Sequence, residues 1–360
     1  MRSLENDCVA GGSRGIERTH VREHVRPSVT RAEEVVAGAS GENFPVALRM
    51  LPPVYRRHLT NLYFFARLTD DLGDEAQADA SDAGAGASDA RAGASDARAG
   101  ASDAGAGASD AGAGASDAGA GASDAQADTQ ADVRELRLRL LDELAADVDR
   151  IYEGKAPGSP VMRAMADTVQ ECGVPAKPLL DLIQANRQDQ QVTRYRTFTE
   201  LRQYCELSAN PVGQIVLYIF GVATPERVAL SDSICTALQL AEHWQDVAED
   251  LGHGRIYLPA EDLQRYGCTE ADLAEPTAGP AVRELMTFEV NRATRLLDEG
   301  APLVGTLRGA ARLAVAGYVA GGRAALAAIR ARRYDVLNRT PRPRKQRLAG
   351  ELVKAYVKGR

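Results

Sequence analysis

The sequence predicts an all-α protein built as one large helical domain. Three observations carry that prediction. Apolar residues recur at three- and four-residue spacing over most of the chain, no stretch alternates apolar and polar residues between turns, and prolines and glycines punctuate the periodic runs. The first run spans 46–72. The next, VRELRLRLLDELAADVDRIYEG, sets Leu136, Leu140, Leu144, Val148 and Ile151 on one face. Runs over 162–171, 177–189, 198–220, 226–250, 281–300 and 306–333 follow, separated by breakers such as Pro175, Pro225, Gly252 with Gly254, and Gly300. That is more helix than a simple four-helix bundle accommodates.

Composition narrows the function classes. The 360 residues carry a formal charge of −7 and are 44% apolar, enough to bury a core. The charge is concentrated in residues 76–132, which hold ten aspartates against two arginines, so the rest of the chain is close to neutral. Overall charge therefore points to no acidic or basic partner, and no nucleic-acid partner is expected. From Ala80 this segment repeats every seven residues (ASDAGAG, ASDARAG and variants) until Asp128. A coiled coil is excluded because the repeat offers no apolar side chain larger than Ala to bury. The expectation is a disordered insert, with residues 1–40 as a second disordered segment, an N-terminal arm. No apolar run approaches the roughly 20 residues of a membrane span. Five cysteines (Cys8, Cys172, Cys205, Cys235, Cys268), widely spaced, suit neither a disulfide framework nor a zinc site. A cytoplasmic location is the expectation.

Two matching acidic constellations carry the chemistry. LTDDLGDE contains Asp70, Asp71, Asp74 and Glu75, and WQDVAEDLGHGRIYLP contains Asp246, Glu249 and Asp250. Asp70/Asp74 and Asp246/Asp250 stand at i and i+4, one turn apart on one helix face, where like charges repel. A lone pair of this kind is usually a solvated face. Here each pair follows a segment too apolar for the surface, LTNLYFFAR or ICTALQLAEHW. Carboxylates emerging from buried helices need cations, and hard divalent ions are natural partners. Two such turns facing a cavity would hold Mg²⁺ and, through it, a diphosphate.

YFFARLTDDLGDE resembles the first aspartate-rich motif of the squalene/phytoene synthase family. QLAEHWQDVAEDLGHGRIYLP resembles its second, YCELSANPVGQIVLYIFG its central helix, NRQDQQVTRYRTF the segment before it, and YVAGGRAALAAIRARRYDVLNRTPR its C-terminal helix. ENFPVALRMLPPVYRRHL is similar to the opening of the bacterial hopanoid-pathway hydroxysqualene synthases. The resemblance implies an isoprenoid-synthase domain over 41–345 with a central cavity, interrupted by the insert, and a basic tail at 346–360. It implies Mg²⁺, or Mn²⁺ in its place, held by Asp70, Asp74, Asp246 and Asp250 with Asp71 beside them, and no need for NADPH. Glu242 stands where the family usually has a metal-ligating Asn. Arg67, Arg255 and Arg339 are implied at diphosphate oxygens. Tyr63, Tyr204, Tyr257 and Tyr318 are implied around the carbocation, whose charge an aromatic face stabilises. Asn210 and Gln239 are polar site-liners, while Cys205, Trp244 and His243 read as packing residues. Ser208, Ala209 and Gly213 either admit substrate to the backbone or let helices pack closely.

The implied reaction converts presqualene diphosphate and water to hydroxysqualene and diphosphate, with hand-over to a downstream hopanoid-pathway enzyme. Head-to-head condensation of two prenyl diphosphates is the alternative, and a non-catalytic assembly or scaffold relative a third. The tail from Arg339 is basic, with Leu348, Leu352, Val353 and Tyr356 interleaved. It reads either as a peripheral contact with an anionic membrane, at its inner face, or as a frayed terminus.

Overall fold

The computed structural model describes residues 51–74 and 118–359; the expected arm at 1–40 and the repeat up to residue 117 lie outside them. Helix α1 (Pro53–Asp74) starts on a proline, where a missing N–H costs nothing, and carries the first acidic motif in its last turns. Helix α2 (Ala118–Tyr152) begins inside the segment that the sequence reading left disordered. The reason is local. No glycine follows Gly121 in that segment, and Ala-rich sequence extends an existing amphipathic helix cheaply because propagation avoids the cost of nucleation.

Helices α3 (Pro160–Cys172) and α4 (Ala176–Asp189) follow. The single run expected at 198–220 is two helices, α5 (Phe198–Ser208) and α6 (Asn210–Ile219), joined at Ala209. Pro211 has no N–H to bond back one turn, so the helix breaks there. Helix α7 (Pro225–Gln245) is capped by Thr224, which accepts from the Arg227 N–H at 3.3 Å. It ends at Asp246 (φ −108, ψ 17), and the short α8 (Val247–Gly252) continues. The remainder is α9 (Ala260–Arg265), α10 (Glu270–Leu273), α11 (Pro280–Gly300), α12 (Leu303–Thr306), α13 (Gly309–Ala331) and α14 (Lys345–Lys358). Among the described residues the extended pairing is limited to a parallel bridge, Arg194 to Ile256.

Helix α7 is central: α5, α6, α11 and α13 all pack on it, while α1 packs on α2, α3, α4 and α6. Gly213 shows how closely. A Cβ there would collide with Ser231 Oγ and Cys235 Sγ of α7, so this glycine serves helix packing. Cys235 of α7 and Tyr318 of α13 are partly accessible, and burial raises both groups. Contrary to the sequence expectation, α13 is long and apolar enough to cross a membrane, but 67% of its apolar window is buried within the fold. Its apolarity belongs to the core. Of the two readings of the tail, the frayed terminus is the one the fold corrects: as α14 it packs on α12 and α13, with Ala355 fully buried and Arg312 donating to the Tyr356 carbonyl.

A buried ionic cluster fixes the segment after the second acidic motif. Arg292 of α11 donates to Asp262 of α9 at 2.7 Å and to both oxygens of Glu289 at 3.1 Å. Its guanidinium lies over the rings of Phe198 and Phe288, at 4.0 and 4.4 Å. Cys172, Cys205, Cys235 and Cys268 are free thiols; Cys8 lies outside the described residues.

Candidate active site

The first acidic turn is built on the exposed side of α1, whose opposite side buries His58, Leu59, Leu62, Phe65 and Thr69. Tyr63, Arg67 and Asp70 share the outward stripe. Arg67 Nε pairs with Asp71 Oδ1 at 2.8 Å, so Asp71 is held by its own helix. The Asp74 backbone closes α1, and its side chain lies outside the described residues. Helix α4 grips this turn: Asn186 Nδ2 donates to Asp70 Oδ1 at 3.3 Å and Gln190 Nε2 to the Gly73 carbonyl at 2.9 Å. Gly73 makes the approach possible, since a Cβ there would lie 2.5 Å from Asn186 Oδ1.

The second acidic turn straddles the break between α7 and α8. The break keeps the one-turn relation of its aspartates, because the Asp250 N–H still donates to the Asp246 carbonyl at 2.8 Å. Burial, then Asp246, lifts the Asp250 carboxyl to about 7 against the pull of Arg255, and Glu249 and Glu242 add to the rise. Burial and Glu249 raise Asp246 as well, opposed by Arg342. Arg342 is thus a tail arginine whose charge reaches this turn; the implied Arg339 is exposed. Gln245 donates to the Pro341 carbonyl and holds that strand of tail in place. Glu242 is exposed on the last turn of α7.

Beside the second turn lies a buried aromatic cluster. Tyr257 stacks on His243 at 3.7 Å, and the Tyr195, Tyr204 and Tyr257 rings lie 5.5–5.9 Å apart. Burial and Arg255 push His243 down to about 3, so it is neutral, with Gln239 Nε2 3.3 Å from its Nε2. The Tyr204 hydroxyl donates to Asp189 at the end of α4 at 2.8 Å, and burial raises the Tyr204 phenol well above its ordinary value. A cavity of about 10 Å³, room for one water, is lined by His243, Asp250 and Tyr257. The end of α4 therefore touches both sides: Asn186 the first acidic turn, Asp189 the aromatic cluster beside the second.

The other implied residues are placed differently. Tyr318 sits apart from this cluster, near Cys235, and burial raises its phenol. Asn210 accepts from Thr236 at 2.9 Å in the core between α6 and α7. Trp244 and Cys205 are fully buried packing residues; the Trp244 indole N–H and Ser208 Oγ have no hydrogen-bond partner among the described residues. Sequence reading missed Asp189, Tyr195, Asn186 and Arg342. The polar run NRQDQ ending an amphipathic helix was the only sign of Asn186 and Asp189, while Tyr195 and Arg342 stand in the loop segments TRYRTF and NRTPR.

The donor set suits a hard divalent cation: every candidate ligand is a carboxylate, burial and Asp246 raise the half-buried Asp250, and burial and Glu249 raise the half-buried Asp246, so both gain from added positive charge. Among the described residues no three His, Cys, Asp or Glu side chains group closely enough to hold a metal ion unaided. Mg²⁺ typically takes one or two carboxylates and draws its remaining oxygens from water and substrate phosphates.

The squalene/phytoene synthase family model matches residues 37–113 and 118–348. The chain belongs to that family. Its similarity to the squalene/phytoene synthases runs in two directions. It is 32% identical to 15-cis-phytoene synthase of Synechocystis sp. over 57% of this chain and 65% of that enzyme, slightly less than two thirds of the relative's length. It is 27% identical to hydroxysqualene synthase of Rhodopseudomonas palustris over 78% of this chain and 77% of that enzyme. The crystal structure of squalene synthase HpnC from Alicyclobacillus acidocaldarius superposes with a TM-score of 0.62 at 33% identity, covering 84% of this chain and 95% of that one. The family carries the all-α architecture expected from the sequence.

Proposed function

We propose that the protein ionises presqualene diphosphate and captures the rearranged cation with water, releasing hydroxysqualene and diphosphate. The observation that carries this reading is the adjacency of a charged end, Asp246, Asp250, Arg255 and Arg342, to the buried aromatic wall of His243, Tyr257, Tyr204 and Tyr195. The breadth of the matches to the hydroxysqualene synthase and to HpnC supports the choice within the family.

Asp70, Asp246 and Asp250, with Asp71, Asp74 and Glu242 beside them, would hold Mg²⁺ or Mn²⁺. When bound, the ion supplies positive charge against the departing diphosphate. Arg67, Arg255 and Arg342 bind the diphosphate oxygens that the ion leaves uncovered. The carbon–oxygen bond then breaks with both electrons leaving on diphosphate, so no general acid is required. Tyr257 and Tyr204 present ring faces to the cation, and Asp189 fixes Tyr204 by accepting its hydroxyl proton. His243, neutral and stacked, excludes bulk water without adding charge. A water adds to the rearranged cation and loses one proton, which balances the reaction without a reductant. The product would pass to a following enzyme of the same pathway.

Condensation of two prenyl diphosphates is the second reading, favoured by the 32% identity to a phytoene synthase. Labelled presqualene diphosphate and, separately, farnesyl and geranylgeranyl diphosphates are incubated with purified protein and Mg²⁺, and products are resolved by mass spectrometry. Hydroxysqualene from the first is the expected result. Turnover of only the prenyl diphosphates would replace the proposal with condensation. No turnover of any would favour a non-catalytic relative.

A further inference from the structure

Helix α14 has two apolar faces, and the core uses one. Ala355 is fully buried, with Leu348 and Leu352 half-buried beside it, on the side that meets α12 and α13. On the other side Val353 is 62% and Val357 72% exposed, one turn apart, with Tyr356 at 40% on the flank. Of the six large apolar side chains exposed among the described residues, three fall in this stretch. Gln346, Ala349 and Gly350 continue the ridge and are also exposed. Lys354, Lys358 and Arg347 border it on one side and Lys345 on the other, with Arg342 and Arg344 leading into the helix. The one acid in the helix, Glu351, is half-buried and paired with Lys354 at 2.9 Å.

We infer that this face of α14 docks on an anionic lipid surface. Val353 and Val357 enter the headgroup boundary, and the flanking Lys and Arg side chains meet lipid phosphates. An apolar ridge bordered by basic residues is the pattern of an interfacial helix. Charge decides against a second copy of this chain, because a twofold pairing of the ridge would bring its basic borders together. Area decides the same way: two valines and part of a tyrosine fall far short of the roughly 800 Å² per partner that a stable dimer buries. Weak, reversible attachment needs no such area. The inference is independent of which diphosphate the protein consumes, and its readout is binding.

Full-length protein is sedimented with vesicles of phosphatidylcholine alone and of phosphatidylcholine with phosphatidylglycerol. Binding to the mixed vesicles, weakened by salt and absent with phosphatidylcholine alone, is the expected result. V353D/V357D lowers the bound-to-free ratio at least tenfold, and K354Q/K358Q lowers it roughly fivefold for each charge removed. All four side chains are solvent-facing, so both variants keep the wild-type circular dichroism spectrum. Wild-type protein that ignores both vesicle types, or V353D/V357D that binds as well as wild type, overturns the inference. So does a dimer in sedimentation velocity that V353D/V357D dissociates, which would give the face to a second copy.

Discussion

Replacing Glu289 with Gln is expected to stabilise the protein at neutral pH and to flatten its pH dependence. Glu289 is fully buried and shares one guanidinium, Arg292, with the buried Asp262. One cation facing two carboxylates leaves surplus negative charge in the core. Burial, moderated by Arg292 and reinforced by Asp262, lifts Glu289 from 4.5 to about 8. Below pH 4.5 the folded and unfolded states both hold the proton. From there to about pH 8 only the unfolded chain releases it, so wild-type stability falls as pH rises, and above about pH 8 the fall levels off. At about 1.4 kcal/mol per pH unit, the loss accumulated by neutral pH has a ceiling of about 3 kcal/mol. Gln keeps an N–H for Asp262 and an oxygen for Arg292 but has no proton to lose. The assay is urea unfolding followed by circular dichroism at several pH values between about 5 and 8. E289Q should gain stability that grows with pH. A loss of about 3 kcal/mol or more at neutral pH, the cost of leaving a buried cation without its partner, would show that Glu289 is ionised and refute the reasoning.

G73V places atoms where Asn186 Oδ1 now lies; a loss of about 1–3 kcal/mol is expected in thermal unfolding, with a higher Mg²⁺ requirement because the Asn186–Asp70 hydrogen bond goes too. Y204F removes the O–H donated to Asp189 and should cost about 1.5–3 kcal/mol, read by denaturant unfolding, with reduced turnover. R342A should weaken inhibition by inorganic diphosphate by up to about fivefold while R339A leaves it nearly unchanged, since Arg342 is the one whose charge acts on Asp246.

Helical periodicity made most of the fold legible in the sequence, because burying one stripe of a helix leaves a local trace. The breaks were harder to see. Pro211 signals the α5–α6 junction, but a proline inside an apolar run can kink a helix as readily as end it, and nothing local announces that α7 stops at Asp246. The spacing of the aspartates survived that break because the carbonyl-to-amide link across it is kept. Asp189 and Tyr204 escaped notice as a pair because the turn between α4 and α5 brings them together, and no spacing rule encodes a turn's geometry. Arg342 and Arg339 are indistinguishable as letters; only the fold shows that Gln245 holds the tail at Pro341, the residue before Arg342.

That hydrogen bond has a mechanical consequence. Gln245 is the residue before Asp246, and Pro341 is followed within a few residues by Lys345, the start of α14. Whatever pulls on α14, whether a surface it rests on or a fused tag, is felt within one short tether at the turn that carries Asp246 and Asp250. Appended sequence is therefore least disruptive when its attachment leaves α14 seated, and truncation before Pro341 would unfasten the second acidic turn along with the tail.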